Sequence, residues 1–393
     1  MRRRIIRNAL MPLFRTSDAR LRQTKDLSAS EIRRILICRP NHRLGNLLLL
    51  TPLVAELQRV FPDAEVDMVL AGDDGAALFG AFGNIKHIYA LSRRMIRHPL
   101  TLVRTAMQIR RARYDLAVDP CEASQSSRLL VVLANAKHVI GLPREGTADA
   151  PEEQQAMRDA PKHMAQWPVY LLRRAARSPD LDRDYPALDI RLSADERKQA
   201  REALDNRLRD HGKSHAQLII GVFAEATGGK RYPRDWWQRF IAEVRAHYPD
   251  CAFFEILPPD GQPRLALDLP TYSSRNPREV AAMISAMTCF VSADCGVMHL
   301  ASASGTPTLG LFSVTEVPKY EPYGRGSRAL VTNGKTPEEI AQLVSAYIET
   351  LPAATARGCD PPLPQGNRKE RPADCGPEPA TVVIDPQQAG SHA

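Results

Sequence analysis

Residues 288–313 have the sequence TCFVSADCGVMHLASASGTPTLGLFS, which contains the pattern of a strand, a helix and a second strand. The apolar run at its start predicts a buried strand that ends at Asp294. Gly296 allows a tight turn, after which a helix is predicted. Gly305 and Pro307 then turn the chain into the next strand. Two strands joined through a helix are typical of a parallel sheet.

The same alternation extends in both directions along the chain. Strands are predicted at 33–40, 62–71, 85–91, 115–120, 216–226 and 251–257, and helices at 98–114, 234–247, 277–287 and 336–351. A further helix is predicted from Leu47 to Phe61, with a kink at Pro52. This pattern predicts an α/β fold whose mostly parallel sheets are covered on both faces. Residues 144–190 are charged and contain several prolines, and they interrupt the pattern, so we expect two domains.

The expected domain organisation follows from these boundaries. We expect a flexible basic leader at 1–32, an N-terminal domain with its linker at 33–190, a C-terminal domain at 191–351 and a disordered Pro-rich tail at 352–393. The 393 residues suffice for two domains of ordinary size. Seven scattered cysteines form no CxxC pair and no zinc-like spacing with histidine, so we expect reduced thiols in a cytoplasmic protein. No apolar run is long enough for a membrane span.

The net charge of +8 is concentrated at one end of the chain. Residues 1–34 carry ten Lys and Arg against three acids, whereas residues 35–350 carry only about +2. A nucleic-acid groove normally spreads positive charge over the folded surface, so we expect no nucleic-acid partner. The leader mixes arginines with apolar residues, which fits three alternatives: a segment lying on an anionic membrane face, a solvated arm, or a mitochondrial-type targeting peptide.

The strand–helix–strand unit holds the first group of candidate site residues. A helix that begins at Gly296 and Val297 offers free backbone N–H groups and its dipole to an anion. Asp294 lies just before it, and His299 lies one turn inside. The plainer interpretation of that pair is a capping aspartate and a core histidine.

Two other stretches add candidates. In the loop AEATGGKRYP at 224–233, Thr227 and two glycines precede Lys230, whose ammonium suits a diphosphate. An ordinary surface loop with a solvated lysine is the alternative.

The remaining candidates follow predicted strands in the first half of the chain. Arg43, Gly45 and Asn46 come after the first strand, and Asp119 ends a later one. The plainest interpretations are a helix N-cap for Asn46 and a helix-capping carboxylate for Asp119.

Together these stretches resemble the bacterial lipopolysaccharide heptosyltransferases, a family of glycosyltransferases. RLGNLLLLTPL at 43–53 is similar to the family's Arg-x-Gly-Asp motif and its Thr-Pro helix. DCGVMHLASASGTP at 294–307, continuing to YEPYG at 320–324, is similar to its late motif. KRYP at 230–233 is similar to its Lys-x-Trp-Pro loop, and YDLAVDP at 114–120 is similar to a further strand.

The resemblance implies the GT-B architecture, in which two Rossmann-like domains face each other across a cleft. It implies an N-terminal domain that binds a lipopolysaccharide-type glycolipid acceptor, with Arg43 and Gly45 on the acceptor side. It implies a C-terminal domain that binds a nucleotide-diphospho-sugar, typically ADP-heptose. The implied donor-binding residues are Thr227, Lys230, Asp294, Gly296, Val297 and His299. No cofactor and no metal are implied, because the lysine and the helix dipole would stabilise the diphosphate.

The sequence departs from the family pattern at the expected general base. The family's aspartate falls on Asn46, and a carboxamide accepts no proton near neutral pH. Asn46 could position the acceptor while Asp119, His42 or Glu122 takes the proton, with Asp119 favoured because its strand end should share the sheet edge with Asn46. Alternatively, solvent takes the proton at a cost of about 10²–10⁴ in rate. In the third alternative the protein binds without turnover. The helical sequence after FFEILPPDG is also shorter than the family pattern requires.

The sequence therefore leads to the hypothesis of an inverting, metal-independent glycosyltransferase that moves heptose or a related sugar to a lipopolysaccharide-core-type acceptor. The alternative hypothesis is a non-catalytic GT-B protein that binds nucleotide sugars or glycans. A lipid acceptor implies a protein of the bacterial cytoplasm, peripheral on the inner face of the inner membrane, with the basic leader at the anionic surface.

Overall fold

The computed structural model describes residues 26–351, except 73, 92–98, 123, 143–150, 179 and 182, together with residues 381–384. The chain divides into two compact units. Unit 1 comprises Met1–Pro186 and Pro379–Ala393, and unit 2 comprises Ala187–Glu378.

Unit 1 is built on a sheet of six parallel strands. The strands are β1 (Arg34–Arg39), β2 (Glu65–Ala71), β3 (Ile85–Leu91), β4 (Leu116–Asp119), β5 (His138–Gly141) and β12 (Thr381–Ile384). The helices are α1 (Leu44–Leu48), α2 (Thr51–Val60), α3 (Gly75–Phe79), α4 (Pro99–Arg111), α5 (Gln125–Ala134), α6 (Pro151–Asp159) and α7 (Trp167–Ala175). The strand order is β12-β3-β2-β1-β4-β5. The central strand β1 is an uninterrupted apolar run because both faces of it are covered, and Ile35 to Cys38 have 0% exposure.

Unit 2 repeats this architecture with a second parallel sheet. The strands are β6 (Ile219–Phe223), β7 (Ala252–Ile256), β8 (Thr271–Tyr272), β9 (Cys289–Ala293), β10 (Thr308–Phe312) and β11 (Arg328–Val331). The helices are α8 (Ala194–Asp210), α9 (Arg234–His247), α10 (Pro277–Ser285), α11 (Gly296–Ser304), α12 (Val317–Tyr320) and α13 (Pro337–Glu349). The order β8-β7-β6-β9-β10-β11 is the doubly wound order of a Rossmann-like domain. The predicted α/β class is confirmed, and α9 and α11 have the bounds that the sequence predicts.

Each sheet reverses its strand order at one position. In unit 1 the first strand β1 pairs with β2 on one side and with β4 on the other. In unit 2 the first strand β6 pairs with β7 on one side and with β9 on the other. The connections leave these strand pairs in opposite directions, so a crevice opens at their carboxyl ends, where such sheets bind ligands.

The helix predicted from Leu47 to Phe61 is broken rather than kinked. The helix α1 ends at Leu48, and α2 begins at Thr51 with Pro52 in its first turn. Proline donates no backbone hydrogen bond, so it is tolerated at a helix start and disrupts a helix interior. The hydroxyl of Thr51 donates to the carbonyl oxygen of Leu48 at 2.8 Å and joins the two pieces.

The two ends of the chain differ from expectation where they are described. Leu27 and Ile32 are buried, and the N–H of Leu27 donates to the carbonyl of Ala175 at 2.9 Å, so the fold of unit 1 begins before residue 33. In the tail that was expected to be disordered, residues 381–384 form β12, which pairs in parallel with β3. Its sequence TVVI consists of β-branched residues, which favour strands. The rest of the predicted leader and tail lies outside the described residues. Among the described helices, none combines the length and apolar composition that crossing a membrane requires.

A buried ion pair joins α2 to α7. The side chains of Glu56 and Arg173 are 1% and 0% exposed, and Oε1 of Glu56 lies 2.8 Å from Nε of Arg173 and 2.6 Å from Nη2 of Arg59. Burial raises the pKa of Glu56, but the hydrogen bonds from Arg173 and Arg59 outweigh it and leave the pKa below its ordinary value. A carboxylate of this kind stabilises the fold above its unfolded-state pKa, and the stabilisation disappears as the pH falls through its folded-state pKa.

We predict that Glu56→Gln lowers the free energy of unfolding of unit 1 by about 3 kcal/mol at pH 7, because Arg173 is left buried without its counter-charge. The difference from the native chain should shrink as the pH falls from the ordinary glutamate pKa of about 4.3 through the lowered folded-state pKa of Glu56, because the native carboxylate then becomes protonated. Urea unfolding followed by tryptophan fluorescence over this pH range measures this. The control is Glu65→Gln, which removes a half-exposed carboxylate 4.0 Å from Lys86. Equal losses in the two variants would contradict the assignment.

Candidate active site

The candidate site of unit 2 lies at the carboxyl ends of β6 and β9. The loop after β6 contains a short 3-10 turn, Gly228–Lys230, and Asp294 follows β9. Nζ of Lys230 lies 2.5 Å from Oδ2 of Asp294. The Lys230 side chain is 32% exposed and the Asp294 side chain is 7% exposed, so the ammonium remains within reach of a ligand. The structure thus brings together two residues that are distant in the sequence and that the sequence assigned to one site.

The Lys230 loop is held from a third strand as well. Gly228 has φ +62°, a left-handed conformation that favours glycine, and it turns the chain toward Lys230. The hydroxyl of Ser313, which follows β10, donates to the carbonyl oxygen of Gly229 at 3.3 Å. Thr227 is exposed beside this turn. The loops after β6, β9 and β10 therefore meet at the turn that carries Lys230.

The helix α11 begins directly beside this pair. Its N-cap residue is Cys295, which makes no side-chain capping hydrogen bond. Burial raises the pKa of the Cys295 thiol, so the cap residue itself is neutral, and the nearest negative charge is the Asp294 carboxylate, which is paired with Lys230. Gly296 and Val297 form the half-buried first turn, whose backbone N–H groups suit an anion. Gly296 is helical and forms no left-handed turn, whereas Gly305 ends α11 at φ +87°.

His299 lies one turn inside α11 and is 3% exposed. Its ring is therefore almost enclosed by the protein, as the interpretation of a core histidine requires. A contact between His299 and the donor stays a prediction. Within the described residues, no three His, Cys, Asp or Glu side chains gather as a metal site would require.

A pocket of about 530 Å³ lies next to the Lys230 loop. Three arginines and two aromatic residues contribute to its lining, which contains no acidic residue. The lining residues are Ala224, Gly228, Arg231, Tyr232, Pro233, Arg234, Trp237 and Arg264. The hydroxyl of Tyr232 lies 2.6 Å from Oγ1 of Thr332, which fixes that ring. The size and lining suit a planar group attached to an anion.

Arg264 was missed by the sequence analysis. Its Nε donates to Glu225 at 2.7 Å and its Nη2 donates to Asp260 at 2.6 Å, so it ties the loop after β7 to the loop after β6. The described chain between β7 and β8 contains no helix, which is why Arg264 can reach this position. The short helical sequence after FFEILPPDG was the one feature of the sequence that could have drawn attention to this segment. It does not indicate which side chain of the segment lines the pocket.

The candidate site of unit 1 follows β1. Asn46 is the third residue of α1, and Arg43 is the N-cap residue, so the interpretation of Asn46 as an N-cap is wrong. The N–H of Arg43 donates to Oδ1 of Asn41 at 2.9 Å. Arg43 and His42 are exposed, and Gly45 and Asn46 are half-buried. Within the described range, the Asn46 amide has no hydrogen-bond partner in the protein, so it is available to a ligand.

Asp119 ends β4 at the same reversal of strand order, but its carboxylate is enclosed. The side chain is 1% exposed, its Oδ2 lies 3.2 Å from Nε of Arg128, and its Oδ1 accepts a hydrogen bond from Ser127 at 2.5 Å. Burial raises the pKa of Asp119, and the neighbouring Arg128 opposes that shift. A general base must touch the acceptor hydroxyl, and this carboxylate instead holds two side chains of α5 in place.

The two other candidate bases are accessible. His42 and Glu122 are both exposed, His42 before α1 and Glu122 after β4. The structure therefore favours them over Asp119 as groups that an acceptor could reach.

Comparison with known proteins supports the sequence resemblance. Residues 276–344 match the family model of glycosyltransferase family 9 (heptosyltransferase). A family 9 glycosyl transferase from Veillonella parvula DSM 2008 is similar in structure, with TM-score 0.63 and 16% identity over 81% of this chain and 97% of that chain. E. coli ADP-heptose lps heptosyltransferase II is similar with TM-score 0.56 and 18% identity over 81% and 99% of the two chains. E. coli heptosyltransferase WaaC, solved with ADP, is similar with TM-score 0.57 and 17% identity over 80% and 99%. No curated protein matches the chain.

These comparisons confirm the predicted resemblance and the fold class. At sequence identities this low, the solved structures show only that the fold is shared. That fold is the GT-B fold of family 9 proteins. The matched segment contains β9, α11 and β10, and hence the Asp294 side of the site. Together the family match and the fold support glycosyltransferase activity.

We predict that Asp119→Asn lowers the free energy of unfolding by about 3 kcal/mol, because the buried Arg128 loses the carboxylate with which it is paired. Thermal unfolding monitored by circular dichroism measures the loss. Glu122→Gln, an exposed change in the same loop, is the control and should leave the melting temperature unchanged. A stable Asp119→Asn variant that binds donor and fails in turnover would show instead that Asp119 is the base.

Proposed function

From the family 9 match at residues 276–344, we propose that the chain is an inverting, metal-independent transferase that moves heptose, or a related sugar, from a nucleotide-diphospho-sugar to a lipopolysaccharide-core-type acceptor. ADP-heptose is the donor we favour, because two similar E. coli proteins are an ADP-heptose heptosyltransferase and a heptosyltransferase solved with ADP.

The observation that carries this proposal is the contact between Lys230 and Asp294 beside the first turn of α11. A departing diphosphate is doubly charged or more, and it requires compensating positive charge as its bond to the sugar breaks. Lys230 would supply a full charge, and the N–H groups at Gly296 and Val297 would supply the helix dipole. Both are fixed before the donor arrives, so little reorganisation accompanies bond breaking.

In the proposed reaction an acceptor hydroxyl oxygen attacks the anomeric carbon of the donor sugar. The new carbon–oxygen bond forms on the face opposite the diphosphate, and the old bond breaks with its electron pair remaining on the leaving phosphate oxygen. A single displacement of this kind inverts the anomeric centre. Asp294 and His299 would contact the donor sugar, and the hydroxyl proton would leave to a base.

We assign the nucleoside of the donor to the pocket beside Lys230. The pocket adjoins the diphosphate position through Gly228 and Arg231, and its volume of about 530 Å³ is sufficient for a nucleoside. A base can stack on guanidinium groups and on the Tyr232 ring.

The acceptor proton needs a base other than residue 46, because Asn46 stands where the family has an aspartate. We propose that the half-buried Asn46 amide orients the acceptor through hydrogen bonds, while the exposed His42 or Glu122 accepts the proton. His42→Ala and Glu122→Ala distinguish the two, since only removal of the true base should lower kcat and alter its pH profile.

Asn46 also favours a second candidate function, a GT-B protein that binds nucleotide sugars or glycans without turnover. Such a protein would retain the Lys230 site and lack transfer activity with every donor tested. A turnover assay with ADP-heptose and a panel of other nucleotide sugars separates the two functions.

We place the reaction at the inner face of the bacterial inner membrane, where a lipid-linked acceptor would be presented. The basic leader at 1–32 would contribute to membrane attachment, although residues 1–25 lie outside the described structure.

We predict that Lys230→Gln weakens ADP binding by about 10- to 100-fold, because a charge-assisted contact with phosphate is lost. Isothermal titration calorimetry measures the change. Lys335→Gln, an exposed lysine in the same unit, is the control and should bind ADP as the native chain does. Equal affinity in the two variants would place the diphosphate elsewhere.

We predict that Asn46→Asp leaves kcat in the transfer assay close to the native value, because His42 or Glu122 already accepts the acceptor proton. A rise of about 100-fold or more would show that the native chain lacks an effective base. Asn41→Asp adds the same charge to the same loop and should leave kcat unchanged. An inert native chain that Asn46→Asp activates would establish the binding protein as the native function. Unchanged kcat in Asn46→Asp would show that another group is the base.

A further inference from the structure

The helix α4 of unit 1 carries an unusual concentration of positive charge. Residues 99–113 contain four arginines and no acidic residue, which gives this segment +4. Residues 35–350 as a whole carry only about +2, so the remaining positions of the folded body are net acidic. Residues 99–113 are therefore a local concentration of positive charge in a folded body that is otherwise close to neutral.

The exposed face of α4 combines these arginines with large apolar side chains. Val103 is 52% exposed and Met107 is 46% exposed. Both side chains are apolar, so their exposure to water is unfavourable. They lie four residues apart, so they form one ridge along the helix. The buried face is separate from that ridge, with Thr105 at 9% and Ile109 at 0% exposure.

The arginines border the apolar ridge. Arg104 follows Val103, and Arg110 and Arg111 lie one turn beyond Met107, with Arg113 just after the helix; all four are exposed. Across the part of the chain that the structure describes, none of the four forms an ion pair or a side-chain hydrogen bond with the protein. Arginines in the last turn of a helix interact favourably with the helix dipole, which accounts for the positions of Arg110 and Arg111. The dipole does not account for Arg104 or Arg113, which lie outside that turn.

We propose that this face of α4, made of Val103, Arg104, Met107, Arg110, Arg111 and Arg113, docks on an anionic lipid surface. Val103 and Met107 would enter the boundary between headgroups and acyl chains, while the arginines contact lipid phosphates. A nucleic acid would also attract the arginines, but single-stranded binding sites use aromatic side chains, and residues 99–113 contain none. An exposed apolar ridge is costly in water and gains nothing from a phosphate backbone, so lipid is the partner that accounts for both features.

The proposal is tested with the full-length chain by sedimentation with vesicles of phosphatidylglycerol and phosphatidylcholine in equal parts, and with vesicles of phosphatidylcholine alone. The double variant R104E/R111E should bind the anionic vesicles about tenfold more weakly than the native chain. The matched control is K198E/R209E on α8, which changes two exposed basic residues by the same charge and should bind as the native chain does. Native-like binding of R104E/R111E would overturn the proposal and assign any membrane contact to another segment.

A second double variant separates lipid from nucleic acid. V103S/M107S keeps every charge, so it should also lose affinity for the anionic vesicles if the ridge enters the membrane. Unchanged vesicle binding of V103S/M107S, together with displacement of the native chain from vesicles by a single-stranded RNA, would overturn the lipid assignment. Melting temperatures verify that all variants fold. The proposal does not depend on the donor, because a chain that binds vesicles through α4 and fails to bind ADP would refute the transferase alone.

Discussion

Parallel strand pairing is the constraint on which both candidate sites depend. In a parallel sheet every strand presents its carboxyl end at the same edge, so residues far apart in sequence meet there. Lys230 follows β6 and Asp294 follows β9, and these two strands are neighbours only because the strand order reverses between them. Unit 1 repeats the arrangement with Asn46 after β1 and Asp119 at the end of β4. The fold itself creates the crevice before any side chain is considered.

The role of each ion pair in this fold depends on how exposed its side chains are to solvent. Asp119 with Arg128, and Glu56 with Arg173, are almost fully buried, so their charges are satisfied within the fold and are expensive to separate. The ammonium of Lys230 is one-third exposed and has three N–H donors, so it can contact a second anion while it stays paired with the buried Asp294. An aspartate at equivalent strand ends therefore holds a buried arginine in unit 1 and an accessible lysine in unit 2.

Much of this could be predicted from the sequence because the decisive signals are local. The bounds of α9 and α11 follow from apolar periodicity, and the pairing of Lys230 with Asp294 in one site follows from a known motif. The burial of Asp119 could not be predicted, because it depends on α5 bringing Arg128 and Ser127 onto the strand end. Asn46 was assigned to the N-cap from its residue type, whereas the cap position depends on how the preceding loop enters the helix.

The surface of α4 shows a different limit of sequence reasoning. Summed over residues 35–350, the charges nearly cancel, and the cancellation concealed a segment, residues 99–113, with four arginines and no acid. The net charge of a segment does not show where its charges lie. The electrostatic potential at a surface depends on which charged side chains are close to one another. Periodicity alone could not identify Val103 and Met107 as exposed, because a helix has apolar residues on more than one side and only packing decides which side is buried. Ile109 packs in the core of unit 1. Because Val103 and Met107 lie on the opposite side of the helix, they face away from that core, on the same side as the exposed arginines.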